Sequence, residues 1–567
     1  MKFPFVPSNE ASDDFLVGPP GLTLPLSRSD PLESGLALYS GRLGRLIASG
    51  ETGIFGIARL DDSLLMGANI VAGRRENVIG NCSLVHNGRT TIISADFTGL
   101  APLFYCDAAG LLVSNRLHLI LIAMRQRGVQ PSPDAGAIAV ALARANGIGQ
   151  QLATFQTCVA GVKMLHADMR VEASSVGWTL VAASPDHDPL APDDYRALIR
   201  KGAEEITSNI QACLDSGYPI QSSLTAGRDS RTLLAAIVAM GKLRDIPIYT
   251  MDTVPEDREM SSALVSFFGG HYVDTFTEVI EADPNDIVQR YRSILLGCYH
   301  AMAARTYNYS TVYFGQERAP PIRLRGGCSE IYRIMYAGFN PRRVTWRRWQ
   351  DPRKMLTETE FFRSVAAEDA GLGLEALAST FDQLHGPEAW RRIIEHYRQF
   401  RNKFHFGLMS FYQTGLSWHP LASPSLLRAS RGLPFEVMKK GRVNFDVTRE
   451  LCDIAAYLPC NGSRMDLADE YHVAHRYDGV EFSLKPDADL YAKTAAFQCR
   501  GMTPEQAAGY HQAQERHLAE SVEALSAHPV IGGMLTASNV RGRLTDDTER
   551  RWYSKVSALA DAFCVAS

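Results

Sequence analysis

One short segment combines the residue types and the spacing that phosphate chemistry requires. It is Thr225–Ser230, which lies between an apolar run at 220–224 and an amphipathic run at 232–240. Its small residues let the backbone turn tightly and approach a ligand. The N–H groups of such a turn, with the N-terminus of the following helix, attract anions. The segment therefore predicts a phosphate-binding loop at a strand-to-helix junction.

Side chains in and just after this segment could complete the site. Asp229 is placed to hold a magnesium ion that bridges phosphates. The hydroxyls of Thr225 and Ser230 can donate to phosphate oxygens, and Arg228 and Arg231 could add positive charge. A Walker loop is excluded because no Gly-Lys-Ser/Thr follows. A plain strand-to-helix turn capped by Asp and Ser is the alternative interpretation.

The surrounding pattern predicts a parallel sheet that would position this loop. Strand-like and helical runs alternate, at 220–224, 232–240, 246–252, 260–268 and 271–276. Alternation at this spacing is typical of parallel α/β folds. A longer helix is predicted over 195–214, and residues 355–567 are expected to be mostly helical.

The first part of the chain reads as a β-rich unit. Short apolar runs recur between Gly, Asn and Asp turn signals, at 53–58, 64–71, 91–96, 103–105 and 111–113. A helix is predicted over 131–145 and a further strand over 171–183. The Pro- and Asp-rich segment 184–194 reads as a linker that also supplies the N-cap of the next helix.

Composition narrows the class of protein. The chain has 567 residues, which is too many for a single hydrophobic core. Its formal charge of −4 gives no sign of the overall positive field that binds nucleic acid or an anionic membrane. No apolar run is long enough to predict a membrane span. The ten cysteines are scattered without a Cys-x-x-Cys pair, so a disulfide scaffold and a structural zinc are disfavoured. We expect a cytoplasmic protein.

Four features of the chain together resemble the asparagine synthetase family. Thr225–Ser230 resembles the Ser-Gly-Gly-x-Asp-Ser pyrophosphate loop of ATP pyrophosphatases. Asp96–Tyr105, followed by Val113–Asn115, resembles a pattern in the family's N-terminal glutaminase-like domain. Ile248–Asp252 resembles the strand that holds adenine, and Arg325–Tyr332 resembles the Gly-Glu-Gly-x-Asp-Glu segment that closes the ATP site.

The resemblance implies a fold and an activity. The expected fold class is α/β: a β-rich, glutaminase-like (Ntn-type) domain over 1–184, a linker at 185–194, an ATP-pyrophosphatase domain over 195–465, and a helical C-terminal extension over 466–567. Enzymes of this family adenylate a carboxylate with ATP and release pyrophosphate, and a nitrogen nucleophile then forms an amide. Charge building on the departing pyrophosphate is stabilised by loop N–H groups and by a metal.

ATP and Mg²⁺ are the cofactors that the resemblance implies. Asp229 and Glu330 would hold the metal and, with Arg464, take part in catalysis. The residues expected to contact ATP are Leu224, Thr225, Ala226, Gly227, Arg228, Ser230, Thr250, Met251, Gly326 and Gly327.

Three departures from the family narrow the expected reaction. Lys2 stands where the family's glutaminases carry a catalytic cysteine, so glutamine-derived ammonia is not expected. Loss of this cysteine is shared with β-lactam synthetases and lasso-peptide macrolactam cyclases, which use an amine on the substrate. Ser329 replaces an acidic metal ligand, and Arg464 is the basic residue nearest to the family's late lysine. The expected partners are a carboxylate substrate (a peptide or amino acid derivative), a precursor peptide or leader peptidase, and a second copy in a homodimer.

Two other functions stay open on the sequence alone. One is a regulatory or binding protein that kept the fold and lost turnover. The other is a nucleobase-thiolating or tRNA-lysidine-type enzyme, which shares the loop but is disfavoured by the β-rich first domain. Among further residues, Glu256, Asp257 and Glu259 read as caps or surface carboxylates, His419 as a packing histidine, and Tyr332 as either a core residue or a neighbour of the acyl site.

Overall fold

A computed structural model gives the protein's architecture. It describes residues 14–74 apart from 27, 42 and 44, and then 78–138, 152, 155–182, 188–250, 255–273, 276–279, 322–333, 394–407 apart from 396, 417–460 apart from 459, 498–501, 504–537 and short pieces of 556–564. In these residues the fold is mixed α/β, as the sequence predicts.

Two antiparallel sheets form the first part of the chain. Their strands are β1 (Phe15–Gly18), β2 (Arg28–Pro31), β3 (Ala37–Ser40), β4 (Glu51–Leu60), β5 (Ser63–Ala72), β6 (Ile79–His86), β7 (Thr91–Ala95), β8 (Phe104–Cys106), β9 (Leu112–Ser114), β10 (Lys163–Met164), β11 (Met169–Ser174) and β12 (Gly177–Ala182). One six-stranded sheet has the order β10-β8-β9-β1-β3-β2, and the other has the order β12-β11-β7-β6-β4-β5. Helix α1 (Leu117–Gln126) follows β9.

Alternation along the strands explains how the two sheets pack. In β1, Phe15 and Val17 join one hydrophobic core with Phe55 and Val171 of the facing sheet. Leu16, between them, points to the other face, because successive strand residues alternate. Each sheet therefore has one face buried against its partner.

The outer face of the β1 sheet is covered by helix α1 and by helices near the C-terminus. Its core contains residues of α1 together with Leu518, Val522 and Leu535 of the C-terminal helices. These two C-terminal helices are α10 (Pro504–Ser526) and α11 (Ile531–Ala537). On the other side, Leu64 and Met66 of β5 pack against the core of the second half of the chain. The layers thus run helix, sheet, sheet, helix.

The second half of the chain holds a parallel sheet. Its elements are α2 (Pro192–Asp215), β13 (Ile220–Ser223), α3 (Arg228–Ala239), β14 (Ile248–Tyr249), α4 (Pro255–Phe267), β15 (Tyr272–Val273), β16 (Phe276–Val279), β17 (Ile322–Leu324), α5 (Lys403–Phe406), β18 (Ser417–Trp418), α6 (Pro424–Arg431), α7 (Phe435–Lys439), α8 (Arg442–Leu451), α9 (Asp453–Tyr457), β19 (Gln498–Gly501), α10 and α11. The five-stranded sheet has the order β15-β14-β13-β17-β18, and each neighbouring pair is parallel. The predicted parallel sheet is confirmed.

A polar cluster joins the two halves of the chain. Arg398 lies in a π-helix (Tyr397–Asn402), is fully buried, and pairs with Asp168 and Glu395. It also donates to the Phe97 carbonyl at 2.8 Å. Lys403, directly after the π-helix, is fully buried as well. The sequence predicts helix here but gives no sign of a π-helix, which often marks a functional segment.

The motif at Asp96 forms a turn that faces this cluster. The Asp96 carboxylate accepts hydrogen bonds from the N–H groups of Thr98 and Ala101, each at 2.9 Å. Gly99 has φ +71°, and a Cβ on it would come within 2.8 Å of Ala167. Asp96 and Gly99 are therefore both required by the shape of this turn.

Several local predictions need correction. The strand predicted over 171–183 is a hairpin, β11 and β12, with its turn between Ser174 and Gly177. The segment 184–194 supplies no side-chain cap: α2 begins after Ala191, with Pro192 at its first position. Pro is favoured there because its missing N–H would have no helical partner. Helix α1 has no counterpart among the predicted elements. Of the helix predicted over 131–145, residues 135–138 are helical, and 139–145 lie outside the described residues.

Two general features follow from the described residues. Their cysteines are all free thiols. None of their helices combines the length and the apolar character that crossing a membrane would require.

Candidate functional site

The predicted loop lies where the order of the parallel sheet reverses. From β13 the chain moves to β14 and β15 on one side, and it returns through β17 and β18 on the other. The loops after β13 and β17 therefore diverge and leave a crevice at the carboxyl ends of the strands. Ligands of open α/β sheets bind at such a crevice. Thr225–Gly227 and Arg325–Cys328 are these two loops.

The first loop is closed by its own hydroxyl groups. The Thr225 N–H donates to the Ser230 Oγ at 3.1 Å, and the Gly227 N–H donates to the Thr225 Oγ1 at 3.2 Å. The Ser230 hydroxyl in turn donates to the Thr225 carbonyl at 3.1 Å. These two hydroxyls, predicted as phosphate donors, thus shape the loop. Helix α3 begins after Gly227 without a side-chain cap, so no cap residue uses its first N–H groups.

The end of β14 and the start of helix α4 hold the loop from one side. The Thr250 hydroxyl donates to the Leu224 carbonyl at 2.7 Å. The Ala226 N–H donates to the Asp257 carboxylate at 2.8 Å. Leu224 and Ala226 are both buried in the core below the sheet edge. Asp257, interpreted from the sequence as a cap or surface carboxylate, instead fixes the loop.

The second loop contacts the first one directly. A Cβ placed on Gly326 would lie 2.8 Å from the Ser230 nitrogen and 3.0 Å from the Asp229 carbonyl carbon. Only glycine fits there, because those atoms belong to the helix backbone and cannot rotate away. The next residue, Gly327, packs against the rings of His419 and Phe406, where a Cβ would come within 2.5 Å and 2.6 Å. The two segments that the sequence singled out therefore meet.

Asp229 is engaged by two side chains. Arg333 forms a two-point ion pair with it, from Nη2 to Oδ2 at 2.7 Å and from Nε to Oδ1 at 3.2 Å. Asn444 of helix α8 donates to Oδ1 at 3.2 Å. Both carboxylate oxygens are thus hydrogen-bonded, and the negative charge also lies in the first turn of α3, where it suits the helix dipole.

Glu330 lies beside this pair and is buried. Its burial and, secondarily, the negative charge of Asp229 raise its pKa to about 8, although Arg333 opposes this. Its Oε2 atom and the Ser329 hydroxyl are buried without a hydrogen-bond partner among the described residues. Cys328, which precedes them, has φ +74°, an unusual backbone conformation for a residue with a side chain.

These contacts do not fit the predicted magnesium site. Magnesium requires ionised carboxylate oxygens with free lone pairs. Asp229 gives both of its oxygens to Arg333, burial raises the pKa of Glu330, and Ser329 carries no charge. The described residues contain no group of three His, Cys, Asp or Glu side chains that could hold a metal ion. This arrangement of side chains disagrees with the predicted metal role of Asp229 and Glu330, which stays a prediction.

Arg231 and Tyr332 make structural contacts, while the predicted ATP contact of Arg228 stays a prediction. Arg231 is fully buried and donates to the carbonyls of Ala455 and Leu458 at 3.2 and 3.1 Å, so it cannot serve a ligand. The Tyr332 hydroxyl donates to the Leu421 carbonyl at 2.7 Å and is a core residue. Arg228 lies at the surface and reaches the Lys440 carbonyl at 3.3 Å.

His419 is a packing residue, as interpreted from the sequence. Its Nε2 lies 2.9 Å from the Phe406 carbonyl. Burial lowers its pKa to about 3, so the ring is neutral at physiological pH.

Some predicted residues lie outside the described part of the chain. These are Met251, expected to contact ATP, and Arg464, expected to act in catalysis. The residues that sequence reasoning missed are Arg333 and Asn444. Arg333 directly follows the segment Arg325–Tyr332 and could have been noted for that reason. Asn444 lies in an ordinary amphipathic helix and gives no signal.

A separate groove of about 820 Å³ lies between the first half of α2 and helix α8. Its charges are largely paired with each other: Arg442 pairs with Asp446, and the Tyr195 hydroxyl donates to Asp446 at 3.0 Å. The predicted site residues do not line this groove. We therefore place the candidate site at the crevice between the two loops.

The chain was compared with protein families and with curated proteins. No family model matches it, and no curated protein matches it either.

Proposed function

We propose that this protein is an ATP-dependent, amide-forming ligase. In the proposed reaction a carboxylate oxygen of the substrate attacks the α-phosphorus of ATP, and pyrophosphate leaves. An amine then attacks the acyl carbon, the new amide forms, and AMP leaves. A carboxylate needs this activation because its own oxygen is a poor leaving group.

One observation carries the proposal: three separate segments converge at the crevice of the parallel sheet. The loop Thr225–Ser230, Thr250 at the end of β14, and Gly326 after β17 lie at the same edge. The N-terminus of α3 has no side-chain cap and lies at this edge, and a helix N-terminus favours an anion. A nucleotide with its phosphates on α3 and its base toward β14 matches this arrangement.

The first half of the chain supports the same family. Two face-to-face antiparallel sheets agree with the β-rich first domain that the resemblance implies. The glutaminase-like origin of this domain, the macrolactam or β-lactam product, the homodimer and the peptide partners all remain predictions of the resemblance.

A second function is favoured by a specific observation. The Thr225, Ala226 and Gly227 N–H groups are all satisfied within the protein, and Asp229 is ion-paired. A loop whose donors are already occupied suits a binding or regulatory protein that has lost turnover. To bind phosphate through these groups, the loop must exchange its internal hydrogen bonds for bonds to the ligand.

Exchange of labelled pyrophosphate into ATP tests the proposal. We expect exchange that depends on a carboxylate substrate, from panels of peptides and amino acid derivatives, with and without Mg²⁺. Binding of ATP without exchange across these panels would favour the regulatory protein. The resemblance also predicts a reaction without glutamine hydrolysis, and clear ammonia release from glutamine would contradict that prediction.

A further inference from the structure

The position expected for a divalent cation already holds a positive charge. Arg333 donates hydrogen bonds to Asp229 from Nε and Nη2, and this geometry matches the two-point pairing that guanidinium makes with carboxylates. The Arg333 and Asp229 side chains are 23% and 18% exposed, so the pair is largely shielded from solvent yet open at the crevice. Screening by salt is weak at such a site.

The surrounding residues agree with this replacement. Ser329 stands next to Glu330 and brings a hydroxyl where a second acidic ligand would be needed. Across the described ranges no cluster of three metal-binding side chains occurs. A site built around a magnesium ion would collect negative charge, whereas this site pairs the Asp229 carboxylate with an arginine.

Arg333 also retains capacity to bind a ligand. A guanidinium has five N–H groups, and the pair with Asp229 uses two of them. Planar guanidinium groups recognise phosphate oxygens by the same fork that recognises carboxylates. Asn444 supports the geometry, because its amide donates to the Asp229 oxygen that Nε contacts. Asp229 and Asn444 thus position the guanidinium at the mouth of the loop.

We propose that Arg333 replaces the divalent cation in this site, so that the protein binds the phosphates of its nucleotide through a guanidinium and without Mg²⁺. This inference rests on the proposed nucleotide-binding function. It assigns Arg333 a direct role in phosphate binding and Asp229 a positioning role.

Calorimetric titration of the full chain with ATP and with inorganic pyrophosphate tests the inference. Each titration is run in EDTA and in excess Mg²⁺. We expect the Kd in EDTA to be equal to or lower than the Kd with Mg²⁺. A Kd at least tenfold weaker in EDTA would overturn the inference and leave nucleotide binding in place. Binding in neither buffer would reject the proposed function and the inference together.

Two variants and a matched control locate the effect. Arg333→Ala should weaken ATP binding in EDTA at least tenfold. Arg333→Lys keeps the charge but loses the fork, so it should bind with intermediate affinity. If circular dichroism shows that the alanine variant does not fold, the ATP affinity of the lysine variant tests the role of Arg333. Arg244→Ala removes an exposed arginine that precedes β14, near the amino ends of the parallel strands and away from the loops. This variant should bind ATP like wild type. Wild-type affinity in the folded Arg333 variants would refute the assignment.

Discussion

Gly326 offers the most direct test of the convergence of the two loops. Substitution by alanine adds one methyl group at a point where the nearest atoms are the Ser230 nitrogen, at 2.8 Å, and the Asp229 carbonyl carbon, at 3.0 Å. Contacts this short do not occur between relaxed carbon and backbone atoms. Because both neighbours are backbone atoms in the first turn of α3, the clash can be relieved only by moving the loop or the helix.

The expected magnitude follows from the nature of the clash. Forcing an extra methyl into a filled site costs about 1–3 kcal/mol in free energy of unfolding. The same displacement moves the N–H groups at the start of α3. We therefore expect Gly326→Ala to weaken ATP binding about tenfold, which corresponds to a loss of about 1.4 kcal/mol.

Urea unfolding followed by circular dichroism measures the stability change, and hydrogen exchange of the peptide that spans Leu224–Arg231 reports the local displacement. Gly533→Ala is the matched control, because an added Cβ at this exposed helical glycine meets no atom within 4 Å. The control should be neutral or more stable by up to about 1 kcal/mol, since alanine favours helix. Unchanged stability and exchange in Gly326→Ala would refute the close contact between the two loops.

Three further predictions concern the core around the site. Lys403→Met should stabilise the protein by roughly 3 kcal/mol at pH 7, because burial lowers the pKa of Lys403 to about 8 from an unfolded value of 10.5. Between about pH 8 and 10.5 the unfolded state binds a proton that the folded state has released, so the free energy of unfolding of the wild type should rise with pH and the advantage of the methionine variant should shrink. A stability difference in urea unfolding that does not change with pH would contradict the burial of Lys403. Arg231→Met should cost about 2–4 kcal/mol in the same measurement, because two buried carbonyls lose a charged donor, and a smaller loss than that of an exposed control such as Arg244→Met would reject the structural role. Tyr332→Phe should cost about 1–3 kcal/mol by leaving the Ser423 N–H, which donates to its hydroxyl at 2.8 Å, without a partner; a neutral effect would contradict this bond.

Local patterns were enough to predict the elements that carry the site. The alternation of apolar and helical runs from 220 to 276 corresponds to β13, α3, β14, α4 and β15 in the described structure. The hairpin strand β4 extends its predicted run by two residues at each end, and β5 extends its run by one at each end. Strand and helix periodicity, glycine and turn residues are properties of neighbouring positions, so a sequence shows them directly.

Long-range pairing decided what the site can do. The sequence predicts Asp229 as a metal ligand, because a lone carboxylate after a phosphate loop suits that role. Its partner Arg333 lies 104 positions further along the chain, and Asn444 lies 215 positions away. Similarly, Asp257 in the first turn of α4 accepts from the Ala226 N–H, because α4 follows the strand that neighbours β13. None of these pairings leaves a periodic signal, because each depends on which strands are neighbours.

The sequence by itself determined the loop at Thr225–Ser230, the parallel sheet below it and the β-rich first half of the chain. Tertiary structure alone decided that the C-terminal helices cover the first sheet, that a π-helix with Arg398 joins the two halves, and that an arginine occupies the charge position beside Asp229. The physical reason is the range of the forces involved. Backbone preferences act between near neighbours, whereas burial and charge pairing are settled only when distant segments pack together.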